Sequence, residues 1–135
     1  MSYRDEKGAI KIQLLDQDAK SIAEGFAVKD PNKPGRFLRD KSLTSAQLRR
    51  FFGEFRQLQK KVESKGFDRV LPMIKMVKSK ASYAANPRSR KIPDSFRDFL
   101  SRNVDLINEL PDFEAFMLHF EAVVGFYYGM GISND

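Results

Sequence analysis

From Phe113 to Tyr127 the chain carries apolar residues too densely for a single stripe. Phe113, Phe116, Met117, Leu118, Phe120, Val123, Val124, Phe126 and Tyr127 spread over most of the circumference of a helix at 100° per residue. A helix apolar nearly all round is central in a bundle or shared with a partner. Pro111 suits a helix start, where a missing N–H costs least, and Gly129 and Gly131 suit its end. A helix over about Asp112–Tyr128 is predicted, and the rest of the chain must supply elements to wrap it.

Four other segments carry one-sided stripes of the required kind. A short helix is predicted over about Asp16–Val28, with Ala19, Ile22, Ala23 and Phe26 inward. A long one follows at about Ser45–Lys65, where Thr44 and Gln47 match a capping box and Gly66 marks the end. A third runs from about Arg69 to Ala85, capped by Asp68, with Pro72 near the first turn and Val70, Met73, Ile74, Val77, Ala81 and Ala84 buried. The fourth spans about Ser95–Leu110, with Asp94 as cap and Phe96, Phe99, Leu100, Leu106, Ile107 and Leu110 inward. Residues 29–42 read as loop, residues 1–9 as a frayed end, and Ala9–Leu14 as extended approach chain or an early helix. At 135 residues and 41% hydrophobic content there is material for one modest core. The expected fold is all-α: a single small helical bundle of about five helices forming one domain, 1–135.

The second of these helices is as lopsided in charge as the last is in polarity. Leu48, Phe51, Phe52, Phe55, Leu58 and Val62 form its apolar stripe. Opposite them, Arg49, Arg56 and Lys60 line one side, Arg50, Gln57 and Lys61 line the other, and Gly53 sits between. A solvated helix normally mixes signs to gain i,i+4 pairs, yet only Glu54 and Glu63 interrupt here. Residues 36–91 carry sixteen Lys and Arg against four acids, whereas residues 92–135 carry two against eight. A basic middle attracts a polyanion, and an acidic end can meet a basic neighbour. The candidate nucleic-acid-binding residues are Arg49, Arg50, Arg56, Lys60 and Lys61 on this helix, Lys75, Lys78 and Lys80 on the next, and Arg88, Arg90 and Lys91 in the turn after it. Lys80 is the odd one, because it projects beside Met73 and Met76 at the border of the buried stripe. There is no compact helix–turn–helix spacing and no Asn on the basic helix to read base edges, so contact with the nucleic-acid backbone fits better than sequence reading.

Catalytic chemistry is scarce. His119 is the one histidine, which leaves little material for a His-based acid–base pair or triad, and packing explains it better. With no cysteine there is neither a disulfide framework nor a thiolate metal site, and neither a metal nor a cofactor is expected. The glycines at the end of the chain follow a helix rather than a strand and make no phosphate loop. Phe51, Phe52, Phe55, Phe96, Phe99, Phe113, Phe116 and Phe120 fall on core stripes, so they are not a stacking platform; Tyr83, Tyr127 and Tyr128 are likewise assigned to packing or helix ends. No apolar run is long enough to span a membrane and no signal segment opens the chain, so the cytoplasm is the expected compartment.

Three stretches resemble a known family. Residues 43–56, LTSAQLRRFFGEFR, resemble the opening motif of the small helical subunit of type III-A CRISPR effector complexes, the Csm complexes. Residues 71–85, LPMIKMVKSKASYAA, look like that family's second motif, and Phe113–Phe116 with Glu121–Gly129 are similar to its third. The resemblance implies a non-catalytic, all-helical antiviral-defence subunit. Several copies of it lie beside the crRNA–target duplex, hold the target RNA and brace other subunits of the ribonucleoprotein, while cutting chemistry resides elsewhere. The partners implied are target RNA, the crRNA–target duplex and the other subunits; the apolar last helix adds an expectation of self-association. A stand-alone helical adaptor, its basic face merely solvated, is the second reading, and a small nuclease is a weaker third.

Overall fold

The computed structural model describes residues 2–132. After a 3-10 turn at Ile12–Leu15 come six α-helices: α1 (Gln17–Glu24), α2 (Ser45–Lys65), α3 (Phe67–Lys75), α4 (Val77–Ala84), α5 (Asp94–Leu106) and α6 (Leu110–Gly129). The described residues form isolated bridges at Arg4–Ile10 and Lys29–Phe37 but no strand. The all-α expectation holds, and the expected third helix is divided between α3 and α4.

α6 occupies the centre. Phe113, Ala115, Phe116, Met117, His119, Phe120, Val123, Val124 and Tyr127 are all buried along it. It packs on α1 and α2, and α5 reaches it through side chains. Phe120 meets Phe55 of α2 and Phe99 of α5 at ring-centroid distances of 5.9 and 5.4 Å, and Phe52 edge-on at 5.1 Å. Phe26, just after α1, lies edge-on to Phe96 and Phe99 at 5.1 and 5.5 Å. Such pairs add about 0.5–1.5 kcal/mol each beyond simple area burial. Leu118 and Tyr128 are the large apolar positions left open along α6, together with Leu110 at its start, which was expected inward but is 39% exposed; the chain's own elements cover most of the rest of this helix.

Several boundaries differ from expectation for local reasons. α3 begins at Phe67, so Pro72 lies inside the helix rather than in its first turn, and Asp68 is a first-turn acid rather than the cap. The break between α3 and α4 falls at Met76, whose carbonyl accepts from the Ser79 N–H (3.1 Å) and from the Ser79 hydroxyl (3.0 Å). That is tightened i→i+3 bonding reinforced by a serine side chain. Gly66 makes the α2–α3 corner at φ +90°, a conformation open to glycine. α5 starts at Asp94, with Pro93 as its cap residue, and stops at Leu106. Asp112 draws the chain out of helix there by accepting from the N–H groups of Asn108 and Glu109 at 3.1 and 3.0 Å, and Glu109 and Asp112 together form a capping box for α6. Met73, expected in the core, is 39% exposed. α1 ends at Glu24 instead of Val28, with Gly25 following. At α2 the Thr44 hydroxyl accepts from the Gln47 N–H at 3.1 Å, while the Gln47 side-chain Oε1 accepts no bond from the described residues, so half of the capping box forms.

The expectation of a frayed end is corrected for residues 2–9. The buried Tyr3 hydroxyl donates to Asn103 Oδ1 at 2.8 Å, and Arg4 donates to the Pro111 carbonyl at 3.1 Å. These bonds tie the first turn of chain to α5 and to the start of α6; Met1 lies outside the described residues. The 29–42 segment contains no helix and is closed by the Lys29–Phe37 bridge and the Leu38 N–H to Val28 carbonyl bond at 2.7 Å. At its far end the Tyr127 hydroxyl donates to the Leu43 carbonyl, joining the start of α2 to α6.

Phe120→Ala empties the centre of the ring cluster and should cost about 3–5 kcal/mol. Leu118→Ala, two residues away but exposed, should change stability by about 0.5 kcal/mol or less. Urea denaturation of the two variants checks this contrast.

Candidate nucleic-acid interface

Burial of Leu48, Phe51, Phe55 and Leu58 fixes the rotation of α2 about its axis and turns the basic rows to the outside. α3 packs on α2, while α4 packs on α5. The divergence leaves a groove of about 780 Å³ between α2 and α4, lined by Arg49, Arg50, Gly53, Glu54 and Gln57 on one wall and by Ser79, Lys80, Tyr83, Ala84 and Lys91 on the other. Lys91 also belongs to a depression of about 380 Å³ that adds Arg39, Lys41 and Arg90. At the other end Glu54, Gln57 and Lys80 are shared with a depression of about 480 Å³ that adds Lys61, Met73 and Met76. The three form one trough beside α2; from Gln47 to Lys61 it is about 21 Å long at 1.5 Å per residue.

The expected cations divide into groups. Arg49, Arg50, Lys80 and Lys91 converge on the groove. Arg49 and Lys91 have no ion pair among the described residues, and Arg50 lies over the Phe51 ring at 5.9 Å. Lys80 reaches across the groove to the Glu54 carboxylate, which explains its position at the edge of the buried stripe. Lys61 lines one extension of the trough and Arg90 the other, where Arg90 pairs with Asp94 at 3.0 Å. Arg56, stacked over Phe52 at 5.5 Å, and Lys60 are exposed on the outer side of α2, and Arg88 is exposed in the turn after α4.

Lys75 and Lys78 are turned to another task. Lys75 Nζ donates to the Val104 carbonyl at 2.8 Å, satisfying a group in the last turn of α5, and Lys78 pairs with Asp105 at 2.7 Å. Both hold α3 and α4 to the end of α5. Sequence reasoning missed Arg39 and Lys41, which a loop brings to the trough, and Tyr83, which it assigned to packing. Tyr83 is 76% exposed at the groove wall.

His119 stands apart from all of this. It is buried, packs on Phe99 at 5.7 Å and donates through Nδ1 to the Leu14 carbonyl, which fixes the tautomer. It borders a largely apolar cavity of about 470 Å³ between the N-terminal turn, α1 and α5. The described residues contain no group of three or more His, Cys, Asp or Glu able to hold a metal ion, and no helix among them is long and apolar enough to cross a membrane.

Burial lowers the His119 pKa, opposed by its bond to Leu14 and by the charge of Asp18. The folded protein therefore keeps a neutral ring where an unfolded histidine, at about 6.5, takes up a proton. The unfolded chain binds more protons in that window, so this contribution to stability is complete above pH ~6.5 and is lost as pH falls through the folded pKa. The urea midpoint should drop between about pH 7.5 and about pH 5, and His119→Asn, which can retain the donor to Leu14, should show a smaller drop.

A family model described as Csm2 Type III-A matches residues 10–130. No curated protein and no solved structure matches the chain.

Proposed function

Because the chain belongs to the Csm2 type III-A family, the small subunits of the type III-A CRISPR Csm complex, we propose that it serves that complex as a non-catalytic RNA-holding subunit. Assembly with other Csm subunits follows from the family. The finer reading is that target RNA, alone or paired with crRNA, lies with its phosphates along the α2–α4 trough. One observation carries this: Arg49, Arg50 and Lys91, from a helix and a turn more than forty residues apart in sequence, converge with Lys80 on a single groove. Folding brings like charges together there at an electrostatic cost that a polyanion relieves. Lys60, Lys61, Arg56 and Arg88 extend the positive field around it. The non-catalytic reading is supported by the one histidine being buried with its Nδ1 proton engaged by backbone. The exposed stripe of α6, with Glu114 and Glu121 flanking Leu118, suits a basic neighbour in the assembly, whether another subunit or a second copy.

Replacing Arg49, Arg50 and Lys91 by Gln together should leave helical content intact, since all three are exposed. RNA affinity should fall by a similar factor for unrelated sequences, because phosphate contacts position a strand without reading it. The slope of log affinity against log salt should become shallower by about 2 for three contacts on single strands. Glu54→Gln, which removes the carboxylate that pairs with Lys80, should act in the opposite direction and tighten binding. In the assembled complex the triple variant should retain target less well while guide loading is spared. Unchanged affinity and salt slope in both settings would leave this face merely solvated and favour the adaptor reading.

A further inference from the structure

A phosphate-binding face needs cations, but nothing in that role calls for an exposed aromatic ring. Tyr83 is 76% exposed, the most exposed aromatic side chain of the described residues. Its ring pairs with no other ring, and its hydroxyl has no hydrogen-bond partner among those residues. It stands on the last turn of α4, in the same groove as Arg49, Arg50 and Lys91. Across from it lies Gly53, in the middle of α2, where glycine costs about 0.8–1.0 kcal/mol relative to alanine. Apart from its chain neighbours and the backbone of its own helix, none of the described residues lies within 4 Å of where a Gly53 Cβ would sit, so no packing among them requires the glycine. A bare patch of helix facing an unpartnered ring, with cations around both, is a place where a flat group can enter closely.

We infer that the α2–α4 groove takes a single-stranded RNA with one base turned inward and stacked on Tyr83, above the bare surface at Gly53, while the flanking phosphates rest on Arg49, Arg50 and Lys91. This rests on the RNA-binding reading and narrows it to unpaired strand at this position. Stacking on an aromatic side chain is tolerant of sequence because every base presents a π-face. It demands that the base be free of a partner, since a duplex keeps its faces stacked on neighbouring pairs. The groove therefore distinguishes strand state without distinguishing sequence.

The experiment measures binding of the full chain to a ten-nucleotide oligoadenylate, to its duplex with oligouridylate, and to an abasic ribose-phosphate oligomer of equal charge. Tyr83→Ala should weaken oligoadenylate binding by roughly 5- to 150-fold, the range seen for loss of one stacked base. Tyr83→Phe and Tyr83→Trp should bind as the parent does, and the salt slope of Tyr83→Ala should be unchanged because no phosphate contact is lost. The duplex and the abasic oligomer should bind more weakly than oligoadenylate and should not respond to Tyr83→Ala. Gly53→Leu should weaken oligoadenylate binding by filling the space opposite the ring while leaving the melting temperature equal or higher. 2-Aminopurine placed within the oligoadenylate should lose fluorescence on binding the parent and less of it on binding Tyr83→Ala. If Tyr83→Ala binds as the parent while the Arg49/Arg50/Lys91 variant does not, stacking is wrong and phosphate binding survives. If oligoadenylate and the abasic oligomer bind the parent equally, stacking is again wrong. If neither variant changes binding, or the parent binds none of the three, both readings fall.

Discussion

Phe120 sits where α2, α5 and α6 meet, with Phe52 and Phe55 on one side, Phe96 and Phe99 on another, and Phe116 a turn behind it on its own helix. The remaining architecture depends on this aromatic junction. Rings packed mainly edge-on or tilted accept only certain relative positions, so they set the rotation of each helix as well as its distance from the next. For α2 that rotation also sets the outer face: with Phe51 and Phe55 inside, Arg49 and Arg50 point outward and Gly53 lies on the groove wall. The hydrophobic core and the charged groove are two faces of one constraint.

Opposite charges are kept apart by the same arrangement. The basic trough runs between α2 and α4, whereas the open stripe of α6 carries Glu114 and Glu121. Within the basic region, acids are placed selectively. Asp105 and Asp94 take up Lys78 and Arg90 at the ends of α5, and Glu54 takes up Lys80 across the groove. Exposed pairs of this kind contribute at most about 1 kcal/mol to stability. Their larger effect is to decide which cations of the groove stay unpaired: Arg49 and Lys91 have no ion pair among the described residues, and Arg50 is held over a ring that leaves its charge uncompensated.

The α3–α4 break at Met76 shapes the groove in a different way. α3 lies on α2, but α4 lies on α5, and the space between α2 and α4 opens where the chain changes neighbour. A single unbroken helix, as the periodicity of Arg69–Ala85 predicts, could not follow both partners. Lys75 and Lys78, anchored on Val104 and Asp105, hold the region on each side of the break against α5. These two lysines therefore build the groove's wall without lining it.

Much of this was legible in the chain itself, because helix period and capping are local. The spacing of Phe51, Phe55 and Leu58 is enough to assign the buried side of α2, the density of apolar residues from Phe113 to Tyr127 is enough to make α6 central, and Thr44 caps as its position suggests. The positive character of the middle third is likewise a property of composition. What composition and period could not decide is which charges meet. Lys80 and Glu54 are 26 residues apart and Lys78 and Asp105 are 27 apart, and a Coulombic pair depends on distance in space, which no local repeat encodes. Tyr83 was misjudged for the same reason: an aromatic residue at a helix end is buried or bare according to what packs beside it, and α4 packs on α5 with Tyr83 at the open wall of the groove. Periodicity, acting within a few turns, determined the helices and their inner faces; the docking of α4 on α5 rather than α2, a long-range choice, decided that there would be a groove and which residues would line it.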